Sequence, residues 1–197
     1  MNPITHFLAS WTAAANVVPD RRDQSLITWA GVLPDVDGLG AVVDAGQALL
    51  GRPGSGHYGD YHHQLLHGLP GAVVIPAVLA FWGVRRIRVL VFGFFAVHLH
   101  LLFDLIGSRG PGPEDIWPLW YLAPFSDEPV FLWLGQWPLN AWPNVVFTVL
   151  LLAYALWAAI ARGRSPVGVF SATADARVVT TLRTRWEAVH RALGREV

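Results

Sequence analysis

The chain has 197 residues, with 14 Arg, no Lys, 14 acidic residues and a formal net charge of zero, so nothing in it calls for a polyanionic partner such as nucleic acid. Hydrophobic residues make up 53% and charged residues only 14%, against about 25% charged in an ordinary globular domain; with ten Trp and a mean hydropathy of +0.40, that balance points to a lipid bilayer. The length suits one domain with a sizeable core, and the absence of cysteine excludes disulfides, thiolate metal sites and Cys nucleophiles.

Taken in chain order, the pattern is all-α, without the period-2 alternation of strands. MNPITHFLASW has no basic n-region, so no cleaved signal peptide is expected. Ile4 to Val18 reads as a first helix, ended by Pro19 and the polar turn Asp20–Asp23. Leu26 to Leu33 is a short apolar return stopping at Pro34, Leu39 to Leu50 a further helix, and Gly51 to Gly56 a loop. Three long apolar segments follow: Gly68 to Val84 (17 residues), Val89 to Ile106 (18) and Asn144 to Ala161 (18). These sit near the lower limit for a span, about 17 residues. Gly107 to Pro143, between the second and third, is a loop region rich in Gly, Pro and Trp. From about Ala174, Val178, Leu182, Trp186, Val189 and Leu193 form one apolar helical stripe with Arg on the other faces, suited to a membrane surface or to the outside of the bundle. The expected organisation is a membrane-embedded helical domain over 1–162 and an amphipathic tail over 163–197.

Charge placement orients this arrangement. Twelve of the 14 Arg, all but Arg52 and Arg109, can share one face, which the positive-inside rule makes cytoplasmic. On the opposite face fall His6, Asp35 and Asp37 of LPDVDG, the histidine-rich HYGDYHHQLLHG at 57–68, and Asp104. His100 and Asp104 are four apart and stack on one helical face, as do His63 and His67. His62 and His67, five apart, diverge by about 140° on an ideal helix and share a metal only if the helix begins between them. His98 points away from His100; His57, Asp60 and His190 read as surface residues. Any one of these groups alone is most simply a core residue or a cap, Asp35 an N-cap for instance. Ionisable groups converging at membrane depth from several segments are costly and mark function. A His/Asp set without Cys suits zinc, and also manganese or iron. Such a cation lowers the pKa of a bound water and so points to hydrolysis.

LPDVDG, YHHQLLHG, HLLFDLIGSRG and WPLWYLAPFSD resemble, in order, the motifs of the membrane-bound metal-dependent hydrolases, the family that includes LexA-binding, inner-membrane-associated members. The resemblance covers roughly residues 4 to 135. It implies an inner-membrane, multi-pass protein related to the helical zinc phospholipase C and nuclease fold, acting on phosphoesters. It also implies metal or catalytic roles for His6, Asp35, Asp37, His62, His67, His100 and Asp104, favouring His62 over His63. One departure is Leu66, where the family pattern carries Thr before the second His. On this reading Asp35 or Asp37 is ligand or general base, and Arg109 pairs with an anionic, lipid-like head group at an extracytoplasmic site. Trp117, Trp120 and Trp133 form an interfacial belt or pack in the core. Two alternatives stand beside it: a non-catalytic membrane protein with a structural metal or scaffold role, and a bis-His haem protein, against which Asp35, Asp37 and Asp104 argue.

Overall fold

A computed structural model describes residues 1–54, 56, 62 and 65–194. Helix α1 (Pro3–Val17) starts where the Asn2 side chain accepts from Thr5 N–H and Pro3 supplies a first-turn φ. Asp20 caps α2 (Arg21–Ala30) in the same way, accepting from Asp23 N–H. A 3-10 turn, Leu33–Leu39, holds LPDVDG and runs straight into α3 (Gly40–Leu49), which buries no side chain. Then come α4 (Leu69–Ala80), α5 (Arg86–Gly107) and α6 (Trp142–Arg162). A short 3-10 turn, Pro166–Val169, leads to α7 (Ala172–Ala192). The α5–α6 connection contains two two-residue strands, β1 (Leu119–Trp120) and β2 (Val130–Phe131), paired antiparallel with Leu119 opposite Phe131.

The centre of the bundle is α5, packed against α4, α2 and α1, while α6 lies against α1 and α7. Small residues make these approaches close. Ala14, Ala30, Ala72, Ala96 and Val97 share one buried cluster, and a Cβ at Gly31 would fall 1.9 Å from Ser10 Oγ. Among the described residues, two helices, α5 and α6, are long and apolar enough to cross a membrane; α2 and the 33–49 stretch, bent by 43°, make a third span if counted together.

The first long apolar segment behaves differently from its composition. Its helix, α4, has only 12 residues and ends at Ala80. Beyond it the buried carboxylate of Asp23 accepts from Val84 N–H and Arg85 N–H at 2.7 and 3.1 Å, tying the turn to α2. The arginine-rich ends meet at this level. Arg164 Nη1 donates to Ala15 O, Arg21 Nη1 to Asp175 Oδ2, and Arg183 Nε to Ile160 O. The end of α1, the start of α2, the α4–α5 turn and the end of α6 are therefore neighbours.

At the far end, the last four carbonyls of α5, orphaned by the end of the helix, are all recovered by the α5–α6 connection and the first turn of α6. Gln136 Nε2 donates to Asp104 O and Leu105 O, Trp137 N–H to Ile106 O, and Asn144 Nδ2 to Gly107 O. Gln136 Oε1 accepts from Trp117 N–H, so one buried side chain fixes the connection over the end of the helix.

Candidate metal centre

At this far end the fold brings together all seven residues that the sequence offers as metal ligands. His6 comes from the first turns of α1, Asp35 and Asp37 from the 3-10 turn, His62 and His67 from the chain ahead of α4, and His100 and Asp104 from the last two turns of α5. His6, His67, His100 and Asp104 are buried, and Asp35, Asp37 and His62 are half-buried. His67 precedes α4 rather than lying on it, so helical phase does not govern its relation to His62. His63, His57 and Asp60 lie outside the described residues. His98 turns away to bond Tyr121 Oη at 2.9 Å, and His190 packs at a tilt against Trp186 in α7.

Hydrogen bonds determine what each ring offers. His100 Nδ1 donates to Gly31 O at 3.0 Å, which leaves the Nε2 lone pair of the neutral ring pointing inward. His67 Nδ1 lies 3.0 Å from Asp37 Oδ2, and its Nε2 faces His100 Nε2 at 3.1 Å. Asp104 divides its two oxygens. Oδ1 takes His6 Nε2 at 3.0 Å, Ser108 Oγ at 2.6 Å and the Met1 nitrogen. Oδ2 lies 3.0 Å from His100 Nε2 and 3.5 Å from His67 Nε2. Asp35 Oδ1 completes the set, 3.8 Å from His67 Nε2 and 3.7 Å from His100 Nε2, and Asp35 Oδ2 is buried without a hydrogen bond.

Four candidate donor atoms thus lie close together: His67 Nε2, His100 Nε2, Asp35 Oδ1 and Asp104 Oδ2. Ligands about 2.0–2.1 Å from a tetrahedral zinc stand about 3.3 Å apart. The spacings here bracket that value, so the donor set fits a divalent cation. By proximity alone the donors fall into two groups, His6/Asp35/His100/Asp104 and Asp37/His62/His67. The hydrogen bonds favour a grouping that takes His67 from the second set into the first. Asp37 already receives His62 Nδ1 on Oδ1 at 2.9 Å, and His67 Nδ1 and Leu66 N–H on Oδ2. That makes it an anchor for both rings, the carboxylate–histidine pairing found behind metal ligands. His6 Nε2 faces two acceptors, Asp104 Oδ1 and Met1 O, so it donates there, while its ring stacks on His100 at 3.7 Å.

Burial opposes a charge on His67, but the hydrogen bonds and negative charges of Asp104 and Asp37 outweigh it and raise the His67 pKa to about 9. A proton on His67 Nε2 and a divalent cation are alternative occupants of the same space. Gly38 gives His62 its room, since a Cβ there would sit 2.8 Å from His62 Nδ1.

Asp35 and Asp104 line a cavity of about 560 Å³ together with His62, Arg109, Trp117 and Leu139. Arg109 Nε is buried there without a hydrogen-bond partner. Trp117 packs edge-on against His62, whereas Trp133 packs against Trp137. Sequence reasoning missed Ser108, Gly31 and Gln136. Only Ser108 carries a local signal, one helical turn beyond Asp104.

A family model described as "YdjM inner membrane protein" matches residues 1–174. Neither the curated proteins nor the solved structures provide a match.

Proposed function

The chain belongs to the YdjM inner membrane protein family, and in that membrane setting we propose that it is a metal-dependent hydrolase of phosphoesters or related esters. The observation that supports this most directly is that His67 Nε2, His100 Nε2 and Asp104 Oδ2 stand 3.0–3.5 Å from one another, with Asp35 Oδ1 farther off at 3.7–3.8 Å, beside a cavity lined by Asp35, Asp104 and the cationic Arg109; three such ligands leave a position for water. Zinc suits the donor set best, with manganese or iron as substitutes. When bound, a divalent cation supplies Lewis acidity to a water and to the electrophile.

The chain's own residues do the rest. Asp37 and Gly31 O hold the rings of His67 and His100 in the tautomer that offers Nε2. His6 and Ser108 hold Asp104 by Oδ1 and leave Oδ2 to the site. Asp35 lines the cavity, and its unbonded Oδ2 accepts the proton of the attacking water. Asp37 has both oxygens engaged and serves as a positioning residue. Arg109 pairs with the anionic group of the substrate through its unpartnered Nε. The arginine-rich end is cytoplasmic and the site extracytoplasmic, with 1–162 as the embedded body and 163–197 as an appended surface tail.

Elemental mass spectrometry of detergent-purified protein, wild type beside His67→Ala and Asp104→Ala, tests the reading. Near-stoichiometric zinc, manganese or iron, lost in both variants, supports the site and licenses a substrate screen. A wild type that stays metal-free after incubation with each ion sinks the hydrolase reading and leaves a structural membrane protein.

A further inference from the structure

The helices around the site are unequal in length. At 1.5 Å per residue, α5 and α6, with 22 and 21 residues, are about 33 and 31 Å long, enough for a hydrocarbon core of about 30 Å. The other three that frame the site are α1 with 15 residues, α2 with 10 and α4 with 12, about 22, 15 and 18 Å. All five share their arginine-rich end, through Asp23 on the α4–α5 turn and Arg164 on the end of α1. The shorter helices therefore stop below the level that α5 and α6 reach, and the site lies where they stop. His100 is fourteen residues beyond Arg86, about 21 Å along α5, and it bonds the carbonyl of Gly31 at the end of α2.

The connection after α5 contributes much of the lining of this recess, with Ser108–Pro111, Trp117 and Pro138–Asn140. Its lining includes Asn2 and Pro3 at the start of α1 and Pro138–Asn140 just ahead of α6. The rim there is apolar and faces outward: Ile4 is 63% exposed, Leu139 48% and Trp142 75%. Inside, among the described residues, Arg109 is the one cationic side chain of the lining, beside the Met1 amino group.

We infer that the cavity takes its ligand sideways from the bilayer, between the starts of α1 and α6, and that the ligand is a membrane lipid with an anionic phosphate head group. The inference rests on the hydrolase reading for what happens to the lipid, but not for its binding. Its phosphate pairs with Arg109 beside Asp35 and Asp104, where a bound cation offsets the carboxylates, and its acyl chains lie against Leu139, Ile4 and Trp142. A site at this depth disfavours a water-soluble phosphoester, whose whole polar surface would have to cross an apolar rim.

The test uses full-length, zinc-loaded protein in mixed micelles, with retention of dioleoyl phosphatidic acid read by native mass spectrometry and glycerol 3-phosphate added as a soluble competitor. Wild type should retain the lipid even against a large excess of competitor. Arg109→Gln should weaken retention at least about tenfold, as loss of a charged hydrogen bond implies. Leu139→Asp at the rim should weaken it too, and both variants should keep wild-type zinc content, which shows they are folded. Competition at parity by glycerol 3-phosphate, or retention indifferent to both substitutions, overturns the inference. The two readings fail separately. Retained lipid that no loaded protein cleaves removes the hydrolase and leaves the lipid site, whereas turnover of soluble esters with the lipid excluded does the reverse.

Discussion

Asp37 shows how much of this centre depends on one carboxylate that faces away from the proposed cation. It holds His62 and His67 by their Nδ1 atoms and ties down the Leu66 backbone, so both rings owe their direction to it. Asp37→Asn keeps the shape but can accept from only one ring. We expect zinc affinity to fall about 10–100-fold with the fold intact, the usual cost of losing such a partner, measured by competition with a chromophoric chelator. Complete loss of binding would instead place Asp37 among the direct donors. His67 adds a pH dependence. With its pKa raised to about 9, the proton stays on the ring through neutral pH and must leave before Nε2 can bind a cation. Apparent zinc affinity should therefore rise with pH, by about tenfold per unit, and level off above about pH 9. The same chelator titration, repeated at several pH values, checks this; a flat profile below pH 9 would exclude His67 as a donor. At this scale the sequence disclosed which residue types gather, because His and Asp stand out in an apolar chain. It did not disclose their roles, since those turn on which ring nitrogen donates. Gly31 O, which sets the His100 tautomer, has no side-chain signature at all.

Among the elements, α5 and α6 were legible because long apolar runs end in charge or proline, and the observed bounds, Arg86–Gly107 and Trp142–Arg162, extend the expected segments by two or three residues at the start and one at the end. The segment from Gly68 to Val84 looks no less apolar, yet it forms a 12-residue helix. Its end is set by the Asp23 carboxylate, a long-range contact that hydropathy cannot register. The His62/His63 ambiguity has a similar origin, because helical phase was applied to chain that precedes the helix. The α5–α6 connection is where local patterns say least and tertiary hydrogen bonds most. Gln136 alone serves Asp104 O, Leu105 O and Trp117 on both its carbonyl and its amide. Gln136→Ala leaves buried carbonyls at the end of α5 unpaired, at about 1–3 kcal/mol. For a chain of this length, that lowers the unfolding midpoint by several degrees. Thermal unfolding in detergent beside an exposed control, Ser126→Ala, should show the gap; equal midpoints would mean that water replaces the side chain and the connection stands without it.

The whole molecule carries two signals along one axis, and they have separate physical origins. Arginine collects at one end, where Arg21, Arg162, Arg164 and Arg183 bond to neighbouring helix ends. The His/Asp centre collects at the other, where α1, α2 and α4 stop short. The first signal was readable from sequence as a count of charges between apolar segments. The second required the helix lengths, since only they show that the centre lies below the ends of α5 and α6. Topology follows from the first signal: positively charged ends stay on the cytoplasmic side, so the α5–α6 connection should face out. The chain contains no cysteine, which makes this directly measurable. A cysteine at Asp127, exposed in that connection, should react with a membrane-impermeant maleimide in intact spheroplasts. One at Arg86, exposed at the start of α5, should react only after permeabilisation. The reverse pattern would put the centre in the cytoplasm and override the charge rule. Labelling of both positions in intact cells would mean that α5 does not cross the bilayer, and the recess argued from its length would then fall with it. The predicted outcome, Asp127 outside and Arg86 inside, requires the chain between them to cross once. The only long apolar helix in that interval is α5, which carries His100 and Asp104 toward the outer end of its span.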